Sequence, residues 1–122
     1  MNIVKLSYPT PLSSIVDNQN DNIDVFIELE DGTNITVVVS TPQNLLCQME
    51  REQEIFVPAP HPEIIVRSLT HENIQHAIEQ YAKEDAFWLK LLYVASVDRS
   101  AVDMNRINRS LEKIKTLNNE LE

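Results

Sequence analysis

A single glycine, Gly32, occurs in the 122 residues of this chain. Glycine takes up left-handed backbone without steric penalty, so the chain has one position where a turn of that kind comes cheaply. Gly32 lies between DVFIELE and TNITVVV, two runs of alternating apolar and β-branched residues. That arrangement makes a β-hairpin the organiser of the fold.

The hairpin's register follows from its side chains. A two-residue turn at Asp31-Gly32 would set Leu29 against Asn34 and Ile27 against Thr36, mixing apolar and polar groups on one face. A three-residue loop, Glu30-Asp31-Gly32, sets Leu29 against Thr33, Ile27 against Ile35 and Val25 against Val37, so one face becomes consistently apolar. The longer loop is expected, with Gly32 as the left-handed residue of a G1 bulge. Asp24, Phe26, Glu28, Asn34, Thr36 and Val38 then share the opposite face, a mixed surface open to partial cover.

Residues 2–8 alternate and are closed off by Pro9 and Pro11, which reads as a first strand. The polar run from Ser13 to Asn22 reads as a surface loop. After the hairpin, Thr41 is a good N-cap and Pro42 a good first helical residue, opening a helix over 42–51 with Leu45, Leu46 and Met49 inward. Pro58, Pro60 and Pro62 impose an extended connector. EIIVRSL, 63–69, reads as a buried strand, and Thr70 caps a helix over 71–84 in which Ile74, Ala77, Ile78 and Tyr81 recur at helical spacing. Lys83-Glu84-Asp85 interrupts that pattern. The run 86–97 is apolar on nearly every side, and its leucines and alanines favour a helix with Phe87, Trp88 and Tyr93 in the core.

The last helix is read over 99–121. Met104, Ile107, Leu111, Ile114, Asn118 and Leu121 fall on alternating three- and four-residue steps, a heptad seam with Asn118 at an a position. Such a seam serves either to dock the helix on its own domain or to pair 100–121 with a second helix, including that of a homodimer. The expected architecture is one α+β domain: a small antiparallel or mixed sheet holding the 24–39 hairpin, with about four helices. Residues 1–98 form the core and 99–122 the C-terminal helix.

Charge narrows the partners. The formal net charge is −9, which opposes a phosphate-binding surface and with it a nucleic-acid role. Residues 1–98 hold five Lys/Arg against fifteen Asp/Glu, a net of −10, whereas 99–122 hold five against four, a net of +1. A basic partner protein suits the acidic body. The candidate contacts are Asp24, Glu28, Glu30 and Asp31 around the hairpin and Arg106, Arg109 and Lys113 on the last helix. No segment approaches the roughly 20 apolar residues of a membrane span, and residues 1–14 lack a signal-peptide core. The lone Cys47 forms no internal disulfide, in keeping with a reducing, cytoplasmic setting.

Catalytic patterns are mostly lacking. One glycine excludes the Walker loop and the dinucleotide fingerprint, both of which need several, and no G-x-S-x-G elbow occurs. The histidines are His61, His71 and His76; Glu72, His76 and Glu79 share one helical face, the sole arrangement that suggests a metal. No cofactor, metal or catalytic residue is expected, and Cys47 is read as a buried, inert thiol.

ITVVVSTPQNLL, followed by EIIVRSL, an amphipathic helix and a tryptophan, resembles a pattern in small bacterial immunity proteins of polymorphic toxin systems. There a V-x-V-x-T-P-x-x-L segment precedes an I-I-V strand and a helix. The resemblance covers about 37–90 and implies a non-enzymatic inhibitor that binds a toxin, without identifying binding residues.

Overall fold

The computed structural model describes residues 1–58 and 63–121. Its hairpin joins β2 (Asn22–Leu29) to β3 (Asn34–Ser40) in the three-residue register. Val25 lies opposite Val37 and Ile27 opposite Ile35. The Leu29 N–H donates to the Thr33 carbonyl at 2.9 Å, the Gly32 N–H donates to the Leu29 carbonyl at 3.0 Å, and Gly32 has φ of +88°. The Asp31 carboxylate tightens the loop by accepting from the Thr33 N–H at 2.9 Å.

The sheet is mixed, in the order β1-β2-β3-β4. β1 (Ile3–Ser7) pairs antiparallel with β2, whereas β4 (Glu63–Ile65) runs parallel to the end of β3. A parallel neighbour requires a crossover, and α1 (Pro42–Glu52) lies within it. The strand expected over 63–69 is shorter: it ends at Ile65, while Val66 and Leu69 are buried in the turn that follows. The prolines of the connector beyond Pro58, together with His61, lie outside the described residues, as does Glu122.

Side chains alternate along β2 and β3 until Val39, after which Ser40 is buried as well, and Ile23, Val25, Ile27, Leu29, Ile35, Val37 and Val39 all face one core. That layer is covered by Ile74 and Ile78 of α2 (His71–Tyr81), by Ala82, and by Ala86 and Leu89 of α3 (Lys83–Val97). Each fully buried isoleucine contributes about 1.5–3 kcal/mol relative to exposure. On the opposite face Thr36 and Val38 are half-buried, while Asp24, Phe26 and Glu28 are exposed.

Both caps read from the sequence form. Thr41 Oγ1 accepts from the Asn44 N–H at 3.4 Å and Thr70 Oγ1 from the Asn73 N–H at 3.2 Å. α1 is otherwise peripheral: Leu45 is buried, Met49 and Cys47 are half-buried, and Leu46, expected inward, is 53% exposed. A helix touching the domain along one narrow stripe covers one of two adjacent leucines, not both. Cys47 is thus less enclosed than expected, with the Asn20 side-chain nitrogen 3.7 Å from its sulfur.

Lys83-Glu84-Asp85 does interrupt the helical run. Glu84, Asp85 and Ala86 have φ of 55°, 61° and 56°, so the chain turns left-handed between α2 and the body of α3. After a 3-10 turn at Arg99–Ala101, α4 runs over Met104–Leu121, starting later than expected because Asp103 caps it, accepting from the Arg106 N–H at 3.2 Å. Among the described residues, no helix is long and apolar enough to cross a membrane.

The loop makes a clean test of backbone strain. A Cβ added at Gly32 would meet nothing within 4 Å, so Gly32→Ala acts through conformation alone. It should lower unfolding stability by about 1–2 kcal/mol in urea denaturation with an unchanged m-value, and Gly32→Asn should cost less.

Candidate functional site

Helical spacing divides α3 into two apolar faces. Ala86, Leu89 and Tyr93, at steps of three and four, turn to the core, where Ala86 and Leu89 are fully buried and Tyr93 packs against the cluster. Phe87, Leu91 and Val94, at steps of four and three, turn away from it and are exposed. The aromatics expected in the core are therefore divided. Phe87 and Trp88 are 51% and 55% exposed and meet edge to face at 5.2 Å, and Tyr93 alone of the three reaches the interior. A helix packed on one layer has room for one stripe inside, so an all-round apolar sequence leaves the second stripe in solvent.

α4 repeats this on a larger scale. It contains no buried residue, and its stripe of Met104, Ile107, Leu111, Ile114, Leu117 and Leu121 is between 38% and 86% exposed. Leu117 was missed by the heptad reading, which places it at g. Plotted at about 100° per residue, it falls in the same arc as Ile114 and Leu121. The seam is thus wider than an a/d pair of rows.

The two stripes meet across an open groove of about 790 Å³. Phe87, Leu91 and Val94 form one wall and Ile107 and Leu111 the other, with Val102 at the closed end and Asp85, Lys90 and Arg106 among the charged groups on the rim. Such a groove offers apolar contact area with charged edges, which suits a polypeptide rather than a small polar substrate.

The charged candidates do not converge. Asp24 and Glu28 stand exposed on the outward face of the sheet. Glu30 is held by Asn2, whose backbone N–H donates to Oε1 at 2.9 Å. Asp31 is committed to Lys90, at 2.9 Å, and Lys90 also meets Asp85 at 3.2 Å. Arg106 lies on the groove rim; Arg109 and Lys113 are exposed on α4, clear of the a/d seam.

Other polar constellations are sparse. Among the described residues no three His, Cys, Asp or Glu side chains converge on a metal position, so Glu72, His76 and Glu79 share a face without forming a site. His71 Nδ1 lies 2.6 Å from the Tyr8 hydroxyl beside an open cavity of about 610 Å³ between β1 and α2. Burial, reinforced by the Glu72 carboxylate, pushes the Tyr8 phenol above its ordinary value, which keeps it a neutral hydrogen-bonding group.

No family model, curated protein or solved structure matches the chain.

The Asp31–Lys90 pair ties the hairpin loop to α3 and has a defined pH signature. The hydrogen bond from Lys90, with that from Thr33, holds the Asp31 carboxyl well below the usual carboxylate range, and Asp31 raises Lys90 in return. A depressed carboxylate contributes stability above its unfolded value, about 3.9, and loses it as pH falls toward the folded one. A raised lysine contributes below about 10.4 and loses it above. The melting temperature of Asp31→Asn should therefore trail the parent's by a constant margin from about pH 5 to 9, narrowing below pH 4 and with added salt.

Proposed function

We propose that this chain is a non-enzymatic protein-binding domain that engages other polypeptides through the apolar face of α3 and α4, with its acidic body favouring a basic partner. The observation that carries this is the unpartnered stripe on α4: six large apolar side chains on an 18-residue helix with none buried. Covering them would recover on the order of 1 kcal/mol each before ordering costs are subtracted. A contiguous face of that kind is the usual mark of an interaction site.

Charge supports the choice of partner. Asp24 and Glu28 are exposed on the sheet, and residues 1–98 carry a net of −10. A basic protein approaching that surface would be steered to it, speeding association and making it fall with salt. The resemblance over 37–90 to immunity proteins of polymorphic toxin systems supports the same role, that of an inhibitor which occupies its target by surface complementarity. A cytoplasmic location belongs to this reading, since the sole thiol is unpaired.

The test uses the full chain, immobilised and exposed to the proteins of its native host. Binding should be lost when Leu91 and Leu111 are both replaced by aspartate, and association should slow steeply between low and moderate salt. Asp24→Lys with Glu28→Lys should cut the on-rate while leaving dissociation nearly unchanged. Binding that ignores all of these substitutions would overturn the reading.

A further inference from the structure

We infer that the α3–α4 face is covered by a second copy of this chain, the two α4 helices running parallel with Asn118 of one copy against Asn118 of the other. This rests on the reading that the face binds protein, and it names the protein.

Helix geometry comes first. The short connection through Arg99–Ala101 turns α4 back toward α3, so that Phe87, Leu91 and Val94 share one groove with Ile107 and Leu111. The stripes face a common groove that the two helices leave unfilled. One copy thus supplies two helices of an incomplete bundle, and two copies supply four, with the paired α4 helices at the centre and an α3 against each flank.

The side chains on the seam fit that number. Leu111 at an a position with Ile107 and Ile114 at d positions is the pattern that disfavours a two-stranded coil and suits four-helix packing. Leu117 at g widens the apolar arc beyond the two rows a simple dimeric coil uses.

Asn118 selects both the occupant and its direction. It is the one polar residue among the six seam positions, and a side-chain amide in an apolar seam requires a matching donor and acceptor. The same residue of a second copy supplies both when the helices are parallel. In the antiparallel alignment that keeps the six layers in step, position 118 faces Ile107 and the amide is left unpaired. Isolated polar residues at a positions act in this way to fix register.

Charge does not oppose the pairing. At the positions flanking the seam, a parallel alignment brings Asp103 toward Asn108 and Ser110 toward Lys115, with no like-charged pair. Glu84 and Asp85 give α3 an acidic start, whereas α4 carries Arg106 on the same groove and Lys113 beyond it, so the α3 and α4 that flank one another differ in charge.

The experiment is sedimentation of the full chain at micromolar concentration, with cysteine cross-linking to read direction. The parent should sediment at twice its 14.0 kDa mass. Leu91→Asp with Leu111→Asp should sediment as a single chain while hydrogen-exchange protection of β2 and β3 is retained, both side chains being exposed. In a Cys47→Ser background, Leu121→Cys chains should couple to one another under mild oxidation. A monomeric parent overturns the inference, as does a dimer that survives the double aspartate substitution. Leu121→Cys chains that couple to Met104→Cys chains but not to themselves overturn the parallel arrangement. A monomeric parent that still binds host proteins through Leu91 and Leu111 sinks the homodimer and spares the interaction role; one that binds nothing sinks both.

Discussion

Everything in this fold depends on the register of the β2–β3 hairpin. Side chains on a strand alternate with period two, so a slip of one residue would turn Val25, Ile27, Ile35 and Val37 outward together and leave α2 nothing to pack on. Gly32 holds that register from the loop, with the Asp31 carboxylate closing it against the Thr33 amide. Through Lys90 the same Asp31 ties the loop to α3, whose position is set by Ala86 and Leu89 packing on the hairpin's apolar face. The placement of α3 decides which of its two apolar stripes is core and which is surface, so the hairpin sets the geometry of the groove without contributing a wall to it.

The left-handed turn at Glu84, Asp85 and Ala86 serves the same end. No residue in it is glycine, and each left-handed residue costs about 1–2 kcal/mol. What offsets this is burial on both sides of the turn: Ile74, Ile78 and Ala82 before it and Ala86 and Leu89 after it all enter one core. A straight helix through 71–97 would carry Leu89 past the sheet. The turn folds it back, and the Phe87, Leu91 and Val94 stripe is thereby turned outward.

The parts legible in the sequence were those governed by local rules. Glycine scarcity and side-chain parity gave the hairpin loop to the residue; Thr41-Pro42 and Thr70 gave two helix starts; Lys83-Glu84-Asp85 marked a break. The parts that were not legible depend on what lies across from a residue. A saturated run such as 86–97 has no period to read, so Phe87 and Trp88 could not be told from Leu89, and the neighbouring Leu45 and Leu46 differ only by which the domain covers. The direction of β4 is set by its crossover, not by its three residues. Of the charged candidates, Asp24 and Glu28 stand exposed, while Glu30 and Asp31 are engaged within the chain, by Asn2 and Lys90.

The core lies between the sheet, α2 and one face of α3, and α4 adds no buried residue to it. That separates the chain into a part stabilised from within and a helix stabilised by what it meets. In proteins most of a helix's stability comes from packing its amphipathic face rather than from propensity, and α4 buries no residue of its face inside the chain. The intrinsic support for α4 is modest: Asp103 caps its first turn and Glu112 lies three residues before Lys115, but Arg109 and Lys113 are like charges four apart. On the reading that this face binds protein, cover for the Met104–Leu121 stripe would add to that support. A face of this composition is costly to leave in water, and that cost is the driving force for whatever binds it.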